Sequence, residues 1–228
     1  MLRTGAMALA AAGASTAAHA ATYSDAIGDV AVTGAPFPHI DIRDVEVSNT
    51  ASALIFKINV VGDPIADNWG KYMVGIDSAA GGSSTGNSWG RPINMADMDH
   101  WLGGWADGGS GGMLDVYAGA WSGASATYGP NPANLSVMVD PASYTFSVDL
   151  AALGLVPGST IRFDVFTSGG SGDDGAVDAL SSATPSVTAW QDPFTTVQPL
   201  TYTVVVPEVS TTALGFLGVC AAGLRRRR

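Results

Sequence analysis

Apolar and polar positions alternate over short stretches along most of this chain. Leu54, Phe56, Ile58 and Val60 alternate with Ile55, Lys57 and Asn59. That period of two predicts a strand with one face buried. Ile40, Ile42, Val45 and Val47 predict a strand just before it, with an irregularity between Ile42 and Val45, and Asn49 to Ser52 turns the chain. Tyr72, Val74 and Ile76 set one face of a strand over Lys71 to Asp77. Further strands are expected at Met113 to Ala118, Leu135 to Val139, Tyr144 to Leu150, Ile161 to Thr167 and Leu200 to Val206, with a helical turn over Leu150 to Leu155. Glycine and proline separate these runs. Two long connections remain, Ser78 to Gly112 and Ser168 to Pro199. The expected fold class is all-β: a single antiparallel β-sandwich, jelly-roll-like, of about eight or nine strands with two long loops. An N-terminal signal helix and a short C-terminal hydrophobic helix are expected to flank it.

The two ends follow a different pattern from the body. Arg3 precedes an alanine-rich apolar run from Ala6 to Ala18, and Ala18-His19-Ala20 is a small-x-small site. This predicts a signal peptide over residues 1–20, removed by signal peptidase between Ala20 and Ala21. The domain body is expected at 21–205. At the other end, Val206, Pro207, Glu208, Val209 and Ser210 precede an apolar run from Thr211 to Leu224 and a basic block of Arg225, Arg226, Arg227 and Arg228. The run is about 14 residues, roughly 21 Å as a helix. A stable span needs about 20 residues to cross roughly 30 Å of hydrocarbon. Such a segment suits a transient tail better than a permanent anchor.

Motif, apolar run and basic end together resemble the PEP-CTERM sorting signal of bacterial envelope proteins, with Val209 where that family usually has a second proline. The resemblance implies an exosortase-type membrane protease or transpeptidase as partner. It further implies an exported protein, transiently membrane-anchored by residues 206–228 and then held at the cell surface or in the extracellular matrix. An ordinary C-terminal membrane anchor is the plainer alternative.

Charge narrows the chemistry. Five basic residues stand against nineteen acidic ones between residues 21 and 205, a net of −14, and eighteen of the acids are aspartate. A nucleic-acid partner is excluded on this footprint. Aspartate favours turns and caps, and clustered carboxylates also suit calcium, which takes oxygen ligands. The single cysteine, Cys220, lies in the C-terminal apolar run, so the body has neither a disulfide nor a thiol nucleophile. His39 and His100 are isolated, and no nucleophile elbow or phosphate loop is present. The body is therefore expected not to be an enzyme.

Asp25-Ala26-Ile27-Gly28-Asp29, then Asp41-Ile42 leading into a strand, and Gly75-Ile76-Asp77 followed by Gly81-Gly82-Ser83 resemble the DOMON-like superfamily. Val148-Asp149-Leu150, Pro157-Gly158 and Ile161-Arg162-Phe163-Asp164-Val165 extend the likeness. The nearest members are the C-terminal domain of glucodextranase and the family 9 carbohydrate-binding modules. The resemblance implies a β-sandwich that binds sugar, haem or no known ligand, often with calcium. Asp25 and Asp29 match its opening, and the Gly28 turn would bring both carboxylates to one cation; Asp173, Asp174 and Asp178 form a second acidic group. Plain Asp-Gly turns are the alternative for both. For an extracellular polysaccharide, Trp89, Trp101 and Trp105 offer flat apolar faces, with Asn94, Asp97 and Asp99 as polar neighbours. The alternative is that these tryptophans form a small core beneath their loop. Met95, Met98 and His100 are near in sequence but carry no haem pattern. The functional expectation is a sorted envelope or matrix protein bearing a non-catalytic sandwich that binds carbohydrate. The alternatives are a purely structural surface protein and a secreted polysaccharide hydrolase.

Overall fold

The computed structural model describes residues 19–123 and 131–206. Thirteen strands follow in chain order: β1 (His19–Ser24), β2 (Ile42–Asn49), β3 (Ala53–Val60), β4 (Lys71–Asp77), β5 (Ile93–Asn94), β6 (His100–Trp105), β7 (Gly111–Val116), β8 (Leu135–Asp140), β9 (Ser143–Asp149), β10 (Thr160–Ser168), β11 (Asp178–Ala179), β12 (Phe194–Thr195) and β13 (Leu200–Thr203). They form three open sheets. The first runs β1-β2-β3-β9-β8, the second runs β11-β10-β4-β6-β7 with β13 also paired to β10, and the third is the parallel pair β12-β5. The expected single sandwich of eight or nine strands is thus corrected. Five strands were not anticipated, and four of them, β5, β6, β11 and β12, lie within what reads as two long loops.

The expected flanking helices fall on residues outside the described ones. Among the described residues the only helical segments are 3-10 turns at Pro38–Ile40, Asp107–Gly109 and Leu150–Leu153, and no helix is long and apolar enough to cross a membrane. The signal segment before His19 and the tail from Pro207 to Arg228 lie outside the described residues. The expected cleavage bond, Ala20–Ala21, lies inside β1, where these residues face Ser48 and Val47 of β2.

The alternation read from the sequence does set the faces of the first sheet. Val45 and Val47 of β2, Leu54, Phe56 and Ile58 of β3, and Phe146 and Val148 of β9 are buried in one cluster with Val74 and Ile76 of β4 and Phe163 and Val165 of β10. The two large sheets therefore share one core. The irregularity in β2 appears as a register shift between Ile42 and Asp44, which lets both Ile42 and Val45 point inward.

β6 is buried along its whole length, which explains its unusual composition. A Cβ on Gly103 would overlap the Trp89 ring, and one on Gly104 would overlap Tyr144. Tyr144 stacks on Tyr72 (centroids 4.4 Å apart, planes at 13°) and its hydroxyl donates to the Gly111 carbonyl at 2.6 Å. Gly104→Ala should displace this tyrosine and cost about 1–3 kcal/mol, the usual range for overpacking. A urea midpoint lowered at unchanged slope is the expected reading; an unchanged midpoint would show that Tyr144 moves aside freely.

Candidate metal centre

The connection from β1 to β2 is built by short-range bonds. The amide of Asp25 extends the β1 ladder by donating to the Arg43 carbonyl at 3.1 Å. The Asp25 Oδ1 then accepts from the adjacent Ala26 amide at 2.8 Å. Gly28 adopts φ +83°, a left-handed conformation that glycine takes without strain. Its amide donates to both carboxylate oxygens of buried Asp41, at 2.9 and 3.2 Å. This bond folds the turn back and sets Asp29 beside Asp25.

The third acid arrives from the other sheet. Asp178 begins β11 and faces Thr167 of β10. Its side chain is almost wholly buried. Its Oδ2 accepts from the Ile42 amide at 2.6 Å and its Oδ1 from the Ala179 amide at 2.8 Å. One carboxylate thereby joins the start of β2 to the edge of the second sheet. Asp25, Asp29 and Asp178 each bring an oxygen within 4.8 Å of the others. The triad can coordinate a divalent cation.

Electrostatics at this point are unfavourable without one. The Asp25 Oδ2 and both Asp29 carboxylate oxygens are sealed from solvent and have no hydrogen-bond partner. Burial, then the charges of Asp29, Asp164 and Asp41, push the Asp25 carboxyl up to about 7. Burial, then the charges of Asp25, Asp29 and Asp41, push Asp178 up to about 9. Burial raises Asp29 and Asp41 also. Arg43, Lys57, Lys71 and Arg162 form ion pairs elsewhere, with Asp44, Glu46, Asp107 and Asp77 respectively. Asp164 is close enough to act on Asp25 yet has its own partners, Ser181, Thr196 and the Val165 amide. Sequence reading missed Asp41 and Asp164, whose signal is only an aspartate at a strand boundary and one inside a strand.

The other expected site residues disperse. Asp173 is exposed, and buried Asp174 accepts from the Ser171 amide at 2.9 Å; neither belongs to the triad containing Asp178. Trp89, Trp101 and Trp105 do not form an exposed platform. Trp101 is fully buried and Trp105 is 7% exposed, while half-buried Trp89 directs its Nε1–H at the Met113 sulfur. Asn94 donates to the Ser84 carbonyl, Asp97 is exposed with φ +62°, and buried Asp99 accepts from Ser78 and contacts His100. Ser78, His100 and Asp99 have the composition of a hydrolase triad but not its geometry. Ser78 Oγ and Asp99 Oδ1 both face His100 Nδ1, at 3.4 and 2.9 Å, and Ser78 donates to Asp99 at 2.8 Å. A proton relay needs the carboxylate and the hydroxyl on opposite ring nitrogens.

No protein-family model matches this chain, and no curated protein is significantly similar to it. The resemblance to PEP-CTERM proteins and DOMON-like modules is overturned on that ground. With it go the exosortase partner, the polysaccharide partner and the transient anchoring that placed the protein at the cell surface.

Proposed function

We propose that this is a non-catalytic calcium-binding β domain in which one ion fastens the segment after β1 to β11. The observation that supports this reading is the set of three buried, unpartnered carboxylate oxygens on Asp25 and Asp29, aimed at the site that Asp178 completes. Burying such groups unpaired is costly, and a cation bound by all three acids removes that cost. All side-chain donors in the triad are oxygens, without histidine or cysteine, which suits a hard cation rather than zinc or copper. Calcium is favoured over magnesium because it accepts irregular, carboxylate-rich shells at about 2.3–2.6 Å, whereas magnesium demands near-ideal octahedra.

The ligands come from a turn on the first sheet and an edge strand on the second, so the ion acts as a cross-link. Titration of the metal-free protein with calcium in a calorimeter should show one site, with magnesium at least about tenfold weaker. Asp29→Asn removes a charge without breaking a side-chain hydrogen bond and should abolish the calcium heat. A parent protein that takes up no calcium, or an Asp29→Asn variant that binds as the parent does, would refute the assignment.

A further inference from the structure

Away from the acidic triad, three chain segments meet around an open cleft of about 390 Å³ whose lining includes Phe37, Trp69, Asp174, Trp190 and Gln191. Its volume lies within the range of small-molecule sites. The aromatic rings are mutually inclined. Phe37 and Trp69 lie 5.2 Å apart at 85°, Phe37 and Trp190 5.4 Å apart at 51°, and Trp69 and Trp190 6.1 Å apart at 62°. The three centroids are close enough together for one cation in the cleft to lie within about 6 Å of each, the reach of a cation–π contact.

The rings are fixed from behind. Buried His39 meets the Trp69 ring edge-on at 4.2 Å. Trp190 Nε1–H donates to the Thr33 carbonyl at 3.2 Å. The floor is fixed too: the Arg91 guanidinium donates to Ser168 Oγ and to the carbonyls of Asp174 and Gly169. Lys71, whose ammonium lies near the Trp69 carbonyl, is paired with Asp107 at 2.8 Å. The charged side chain that lines the cleft is a carboxylate. Asp174 is 5% exposed and accepts from neutral donors, the Ser171 amide at 2.9 Å and the Gln191 side chain at 3.4 Å.

Three aromatic rings and one carboxylate lining the same cleft suit a methylated ammonium group, whose diffuse charge is attracted by aromatic rings and whose methyls need no hydrogen bonds. A polyhydroxylated ligand would find just one acid and one amide among these lining side chains. We infer that the Phe37–Trp69–Trp190 cleft binds a small quaternary ammonium cation of choline size, with Asp174 as its counter-charge. The inference is independent of the calcium reading, since neither Asp174 nor the three rings belong to the acidic triad.

The experiment compares choline chloride with its neutral isostere, in which a carbon replaces the quaternary nitrogen, and with glucose. Calorimetry and tryptophan fluorescence of the full chain at fixed ionic strength provide the readings. Choline should bind at least about tenfold more tightly than the isostere, consistent with about 1.4 kcal/mol of cation–π and ionic preference. Asp174→Asn should weaken choline by about tenfold and leave the isostere unchanged. Trp190→Phe, which keeps a ring but gives up part of the indole area and the bond to Thr33, should weaken choline by a smaller factor. Thermal melts verify that both variants are folded. Equal affinity for choline and isostere, binding of glucose without choline, absence of choline binding, or an unaltered Asp174→Asn variant would each overturn the inference.

Discussion

Removing calcium with a chelator at pH 8 is expected to lower the melting temperature by about 10 °C. An ion at a thousand times its dissociation constant stabilises the folded state by about 4 kcal/mol, and a domain of this size moves roughly 2–4 °C per kcal/mol. The pH dependence carries a sign. In the unfolded chain the carboxyls titrate near their ordinary value of 3.8, whereas in the metal-free fold Asp25 is pushed up to about 7 and Asp178 to about 9. Between these limits the folded state holds protons that the unfolded state has released. These two carboxyls therefore make the stability of the chelated protein fall as pH rises from about 4 toward 9. Calcium takes the place of those protons, so its stabilising effect should grow over the same range. Asp25→Asn places an amide where the unpartnered Oδ2 stood and keeps the Oδ1 that accepts from Ala26. It should flatten the decline in chelator and remove most of the calcium effect. A melting temperature in chelator that stays level from pH 5 to 9 would contradict the electrostatic account of the triad.

Trp101→Ala should cost about 3–5 kcal/mol, the range for deleting a buried aromatic ring. Trp101 is fully buried in a cluster with Met73, Ile93, Met95, Met98 and Phe166. It stacks on Phe166 with centroids 6.0 Å apart and meets Trp89 edge-on at 6.3 Å. Trp101→Phe should be far milder. It keeps a ring in place and removes an indole Nε1–H that is buried without a partner, whose desolvation costs about 1–3 kcal/mol. Chemical denaturation of both variants decides the matter. Equal, small losses would mean that this ring is not the centre of its cluster.

The strands that were legible in the sequence are those with one face in the shared core. β2, β3 and β4 lie where alternation put them, and β9 and β10 lie close to their expected bounds. β6 was illegible because its two central glycines interrupt any apolar alternation and mimic a loop. Those glycines are there because Trp89 and Tyr144 occupy the space a Cβ would need. β5, β11 and β12 are two residues each, too short for any period to register.

The metal centre was half legible. The Asp25–Asp29 turn is local, so the Gly28 turn, together with the family resemblance, suggested a pair of carboxylates on one cation. Asp178 was grouped with Asp173 and Asp174 by sequence proximity, but its pairing with Thr167 carries it to the β1–β2 turn, while Asp174 lines the aromatic cleft. That cleft left no trace in the sequence, since Phe37, Trp69 and Trp190 come from separate segments. Proximity along the chain also made Trp89, Trp101 and Trp105 look like partners on one surface, although β6 turns Trp101 into the interior.

The small parallel pair has a consequence for biosynthesis. Ile93 and Asn94 meet Phe194 and Thr195, so the first excursion of the chain is held by residues that leave the ribosome about a hundred positions later. β2, β3 and β4 are available early, but the Met73–Trp101–Phe166 cluster cannot close until Phe194, which packs against it, has emerged. The nascent polypeptide must carry a partly open hydrophobic layer from the emergence of Trp101 until that of Phe194.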